Sequence, residues 1–341
     1  MNEWVAATDY HTAGEPFRIV TAGAPDLPGD SVADRRARAI ESPQAQRIRQ
    51  LLCHEPRGHA DMYGCFVVPP DDPAAALGVL FWHKDGFSTA CGHGTIALAT
   101  WAAQTGAVDV APEGATEMLI DVPSGRVAAV VRCVEGVVLD VTFRNVPSFV
   151  LHRSVSVPTS RGELAVDVSY GGAIYASLPA ASVGLTVTPE SVTELTAIGR
   201  EIKWAVQNAG LAEHPADPRL SGCYGTMLFD DLGDVAPDGT PGPYQRSITV
   251  FADGEVDRSP CGSGTSARMA LLHADGRLDP GRTFTHESII GTRFSATVPE
   301  RVAAAGRDAV ITEITGQAFR TGEHQFTVDP RDELGIGFVL R

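Results

Sequence analysis

Apolar and polar residues along the chain fall mostly into short runs with the two-residue period of strands, bounded by glycine, proline and polar turns. Residues 17–21, 77–83, 119–122, 127–131, 137–143, 164–169, 173–178, 248–251 and 309–314 read as strands. The turns Ser124-Gly125 and Glu135-Gly136 join neighbouring runs and predict antiparallel or mixed pairing. Helical periodicity is scarcer. Thr188-Pro189 opens a stretch with Val192, Leu195, Ile198, Ile202 and Ala205 on one face, closing at Gly210. Residues 34–52 are also helical in pattern but interrupted by Pro43. Segment 230–246, rich in Gly, Pro and Asp, reads as a long loop and a candidate flap near a site. Many strands and few helices predict the α+β class.

An internal repeat organises these elements. Residues 91–106 read CGHGTIALATWAAQTG, and residues 261–276, half the chain later, read CGSGTSARMALLHADG. Aligned without gaps, they share Cys, Gly, Gly, Thr and Ala in the first seven positions and a closing Gly. Each copy follows a strand-like run and a polar loop, then continues as a helix apolar almost all round, the mark of a buried helix. Gly106 and Gly276 stand where a left-handed cap would end it. The pattern predicts two pseudo-symmetric domains of mixed sheet wrapped on a central helix. Residues 1–145 would hold the Cys91 helix and residues 146–319 the Cys261 helix, with 320–341 packing back on the first.

Composition narrows the function. The 341 residues are 43% hydrophobic, enough for such cores, and carry 42 acidic against 27 basic side chains for a net charge of −15. That field repels phosphate backbones and anionic lipid, which argues against nucleic acid or a membrane as partner. It leaves room for a small anion held by local donors. Six cysteines in this length are no disulfide framework, residues 1–16 lack the basic start and apolar core of an export signal, and the expected home is a reducing cytoplasm.

The chemistry concentrates at Cys91 and Cys261. A cysteine at a helix N-terminus meets free backbone N–H groups and the positive end of the helix dipole, which favour thiolate and depress its pKa. The glycines beside each, Gly92 and Gly94 or Gly262 and Gly264, would let a ligand approach the backbone, and the N–H groups suit a carboxylate. Two cysteines facing one cleft suit inversion of an α-carbon, with a base on one face and an acid on the other. Asp257, in Asp257-Arg258-Ser259-Pro260-Cys261, could accept from a substrate ammonium or imino group or simply cap the helix. His93 lies two residues past the first cysteine. Cys53, Cys65, Cys133 and Cys223 read as small buried hydrophobes. No CxxC pair is present, so no metal site is expected, and Gly92-x-Gly94-x-x-Ala97 lacks the βαβ setting of a dinucleotide fingerprint.

These segments resemble the proline racemase family, which also contains hydroxyproline 2-epimerases and trans-3-hydroxy-L-proline dehydratases. The matching stretches are residues 9–20 (DYHTAGEPFRIV), 55–64 (EPRGHADMYG), 91–98 (CGHGTIAL), 257–267 (DRSPCGSGTSA) and 287–294 (ESIIGTRF). The resemblance implies a diaminopimelate-epimerase-like fold with no metal or organic cofactor, acting on a small imino acid. It implies Cys91 and Cys261 as the acid/base pair, Gly92, Gly262 and Ser263 as donors to the substrate carboxylate, and His93 and Asp257 near the ring nitrogen. Members of the family are commonly homodimers. The cysteine pair resembles that of racemases and 4-hydroxyproline epimerases, whereas typical 3-hydroxyproline dehydratases carry threonine at the second position. Tyr63, Tyr175 and the Phe251-Ala252-Asp253 stretch look closer to the dehydratases, and a tyrosine hydroxyl in an apolar pocket would suit a hydroxylated ring. Racemisation or epimerisation leads, with dehydration to Δ1-pyrroline-2-carboxylate as the alternative. A non-catalytic imino-acid binding protein would have no need of opposed thiols, and a phenazine-biosynthesis-type isomerase would lack the pair.

Overall fold

A computed structural model describes residues 4–340; the first three residues of the stretch read for an export signal, and residue 341, lie outside the described residues. The first half of the chain forms β1 (Trp4–Thr12), β2 (Glu15–Ala22), α1 (Val32–Glu41), α2 (Pro43–Cys53), β3 (Tyr63–Val68), β4 (Leu77–His83), β5 (Gly86–Phe87), α3 (Gly92–Thr105), β6 (Gly114–Val122), β7 (Gly125–Val134) and β8 (Val137–Arg144). The second half forms β9 (Ser148–Thr159), β10 (Gly162–Tyr170), β11 (Ile174–Pro179), α4 (Val192–Asn208), β12 (Cys223–Asp231), β13 (Tyr244–Phe251), β14 (Glu255–Asp257), α5 (Gly262–Ala274), β15 (Phe284–Ser288), β16 (Arg293–Ala304), β17 (Arg307–Gly316) and β18 (Ala318–Thr327). The nine runs read as strands all fall on strands, to within a residue at Ala173. Pro43 does not kink one helix but starts the second: it occupies the first turn of α2, whose cap Ser42 accepts from the Ala45 N–H. The expected loop over 230–246 is shorter, because β12 runs to Asp231, β13 begins at Tyr244, and Val235 and Pro241 bridge the turn between them.

The chain divides into two compact units, one holding the residues up to Ala90, Gly94–Val141 and those from Gln317 onward, the other Cys91–His93 and Thr142–Gly316. In the first unit the strands pair β18-β1-β2-β3-β4-β6-β7. Helices α1 and α2 cover part of that sheet, burying Val32, Ala39, Ile48 and Leu52 with Phe66, Leu80 and Trp82. In the second unit β9, β10, β11, β12, β13, β15, β16 and β17 pair in that order, and β17 returns to β9 to close the ring. Helix α5 runs inside this barrel against β9, β10 and β17. Every residue from Gly262 to Leu272 is buried, which is why its sequence is apolar or small on all sides.

The repeat is visible in the pairing itself. From β1 to β7 the pairs run antiparallel, parallel, antiparallel, parallel, antiparallel. From β10 to β16 they run through the same series. In each unit a short hairpin strand, β5 or β14, then leads to the CGxG segment. The helices end as expected, with Gly106 at φ 71° and Gly276 at φ 68°.

Candidate active site

Cys91–His93 belong to the same unit as α5, so the two CGxG segments are seen together. Their first glycines meet at backbone contact: a Cβ on Gly92 or on Gly262 would lie 2.6 Å from the other's Cα. Only glycine fits at either position, because the start of one helix approaches the other this closely. The preceding residues, Cys91 and Cys261, are 4% and 5% exposed. Gly264 has a different reason, since a Cβ there would lie 2.9 Å from Cys261 Sγ.

The approach to Cys261 is fixed by a short relay. At the end of β14, Asp257 Oδ1 accepts from the Ser259 N–H at 2.8 Å and from Ser259 Oγ at 2.7 Å. Ser259 Oγ in turn accepts from the Cys261 N–H at 3.0 Å. The chain then passes through Cys261 at φ 64°, ψ 103°, a backbone region that non-glycine residues seldom occupy. The other carboxylate oxygen, Oδ2, lies 3.9 Å from His93 Nδ1, and both His93 ring nitrogens lie 3.5 Å from Cys91 Sγ. Cys91, His93, Asp257 and the Cys261 loop therefore form one buried polar line.

Burial governs the charges on that line. It drives His93 down to about 3, so the imidazole is neutral at physiological pH and its contact with Asp257 is no ion pair. Burial also raises Asp257 against the hydrogen bonds from Ser259, which favour the carboxylate. The Cys261 thiol is pushed well up, first by burial and then by the Asp257 charge, with the Tyr175 hydroxyl and the Gly264 N–H pulling the other way. Burial thus works against the depression that a helix start favours at this thiol.

Aromatic side chains line the same region. Tyr175, on β11, lies with its hydroxyl 2.7 Å from Ser263 Oγ and 3.6 Å from Cys261 Sγ. Its ring meets Tyr224 edge-on at 5.6 Å, and Tyr224 stacks on Phe251 at the end of β13, also at 5.6 Å. Tyr63 lies in the other unit, buried, its hydroxyl 2.5 Å from Ser88 Oγ. Both tyrosine hydroxyls thus have serine partners within the protein, so neither needs a substrate hydroxyl to satisfy it. Of the residues expected at the site, Cys91, Gly92, His93, Tyr175, Phe251, Asp257, Cys261, Gly262 and Ser263 share one unit. Ser259 and Tyr224 were not expected. The Asp-x-Ser spacing before the helix is a legible turn signal for the first, while nothing in sequence marks the second.

Sequence and fold together place the chain among the racemase, epimerase and dehydratase enzymes that share this architecture. The chain belongs to the proline racemase family, whose model matches residues 7–339. It is 42% identical over 332 residues to the trans-3-hydroxy-L-proline dehydratase of Bacillus cereus, covering 97% of each chain. It is equally 42% identical over 339 residues to the 3-hydroxyproline 2-epimerase of Burkholderia multivorans, covering 99% of this chain and 98% of the relative. Among solved structures, the hydroxyproline epimerase from Agrobacterium vitis with bound trans-4-hydroxy-L-proline matches with a TM-score of 0.91 at 34% identity, over 99% of this chain and 96% of that one. The expected α+β class holds, and no helix of the described residues is long and apolar enough to cross a membrane.

Proposed function

We propose that the protein inverts the α-carbon of a proline ring, in particular a hydroxyproline, with Cys91 and Cys261 as its two acid/base groups. The observation that carries this reading is the contact between Gly92 and Gly262, which sets two cysteine-bearing helix starts against each other in a buried site. Backbone N–H groups of Gly92, Gly262 and Ser263 would hold the substrate carboxylate, where two helix N-termini favour negative charge. One cysteine, as thiolate, takes the α-proton from one face while the other, as thiol, returns a proton to the opposite face. Which cysteine acts as base follows from which epimer is bound, and the roles exchange in the other direction. An α-proton is far less acidic than a thiol of pKa ~8.5, so the carbanion must be stabilised by these preorganised donors in a site shut off from water. His93 and the Asp257 carboxylate would meet the ring nitrogen.

Preference for a hydroxylated ring rests on the relatives named for hydroxyprolines rather than on the tyrosine hydroxyls. The dehydratase relative supports a second reading, in which loss of the α-proton is followed by departure of the 3-hydroxyl, protonated as it leaves as water, and the resulting enamine tautomerises to Δ1-pyrroline-2-carboxylate; Cys261 argues against it, because elimination returns no proton to the α-carbon. A reducing cytoplasm fits six buried cysteines with none in a disulfide. The test is proton NMR in D2O with L-proline, trans-4-hydroxy-L-proline and trans-3-hydroxy-L-proline. Cys91→Ala and Cys261→Ala should each reduce inversion by at least about 10²-fold, the low end for loss of an acid/base group. Wild-type turnover by either variant would overturn the two-thiol assignment.

A further inference from the structure

The matched segments share a threonine at their fifth position, Thr95 and Thr265, that the proposed chemistry does not use. Thr265 is fully buried on the first turn of α5. Its N–H donates to the Cys261 carbonyl at 2.7 Å, and its hydroxyl donates to the Pro260 carbonyl at 3.2 Å. It therefore holds the peptide groups on both sides of Cys261, the residue with the positive φ of 64°. His286, from β15, lies with Nδ1 2.8 Å from the same hydroxyl. A hydroxyl has one hydrogen, and with that hydrogen on Pro260 the imidazole must donate through Nδ1–H. Nε2 then faces the core as an acceptor, with no partner among the described residues. The His286 ring is itself fixed by stacking on Phe284 at 4.8 Å.

We propose that Thr265, oriented by His286, is a positioning residue that fixes the Cys261 thiol for proton transfer. The inference rests on the reading of Cys261 as an acid/base group. A cysteine in a sparsely populated backbone conformation keeps it only where its surroundings over-determine it, and Thr265 supplies two of those restraints. The relay from Asp257 through Ser259 to the Cys261 N–H supplies a third from the opposite side. Released from the hydroxyl, the Pro260–Cys261 peptide can turn and carry Sγ away from the α-carbon.

The test compares Thr265→Val, which keeps shape and N–H but removes the hydroxyl, with Thr265→Ser, which restores it, and Cys261→Ser as control. Thr265→Val should lower kcat roughly ten- to a hundredfold, the scale of a small misplacement of a reacting group. KM should stay within about threefold of wild type, since substrate binding is untouched, and Thr265→Ser should recover most of the loss. Deuterium wash-in should be slowed for the epimer whose proton Cys261 removes and not for the other, whereas a general structural defect would slow both alike. Should Thr265→Val fail to fold, His286→Phe, which keeps the stacked ring, should give the same one-sided slowing to a lesser degree. Wild-type kcat in Thr265→Val, equal slowing of both epimers, or a Thr265→Ser as impaired as Thr265→Val would each overturn the inference. An active Cys261→Ser would instead overturn the two-thiol reading beneath it.

Discussion

At Asp257 one carboxylate oxygen holds Ser259 while the other faces His93, so the residue both builds the Cys261 loop and sets the field around its thiol. The negative charge raises the Cys261 pKa, and removing it should therefore lower that pKa. Asp257→Asn keeps an acceptor for the Ser259 N–H, and its pH profile of thiol alkylation should shift toward lower pH at Cys261. An unshifted profile would mean that Asp257 acts on the loop alone. The two cysteines, the glycines and the aspartate were legible because each sits in a repeated or spaced motif. The orientation of the tyrosines was not: a sequence shows that Tyr175 is a phenol, not that Ser263 already occupies its hydroxyl.

Helix α5 shows how one element serves packing and chemistry together. Gly262 and Gly264 are both intolerant of a side chain, for separable reasons. A methyl group on Gly262 meets the Gly92 backbone, which cannot yield without parting the two helix starts. Gly262→Ala should cost about 1–3 kcal/mol of stability as an overpacked core substitution, read by chemical denaturation, and lose activity with it. A methyl group on Gly264 meets Cys261 Sγ and the flexible end of Met227. Gly264→Ala should leave the denaturation midpoint nearly unchanged while kcat falls; an equal loss of stability in both variants would contradict the distinction. The helix was readable as buried from its composition. The strand beside it was not, because β15 reads Phe-Thr-His-Glu-Ser, five buried residues of which four are polar. Hydrophobic patterning cannot find such a strand, and His286 was missed with it.

For the whole molecule, the repeat predicted two similar halves, and the matching series of strand pairings bears the resemblance out at the level of topology. What the repeat could not reveal is that the chain segment Cys91–His93 groups with the second unit, because compactness depends on long-range contacts and not on local pattern. Stability should depend on pH through the buried imidazoles. His93 and His286 fall from an ordinary 6.5 to about 3 on burial. Below 6.5 the unfolded chain binds protons at both while the folded chain does not, so stability is lost as pH falls from about 6.5 toward about 3. Asp257, raised by burial, opposes this in part. Thermal melts should fall steadily over the upper part of that window, and His286→Phe should flatten the slope; parallel curves would remove His286 from the explanation. The central claim, inversion by two opposed thiols, is tested most directly by the α-carbon product formed from hydroxyproline in D2O. The wild type should give D-configured epimer bearing deuterium at the α-carbon, and Cys261→Ser none. Accumulation of Δ1-pyrroline-2-carboxylate without epimer, or epimer formed by Cys261→Ser at the wild-type rate, would contradict it.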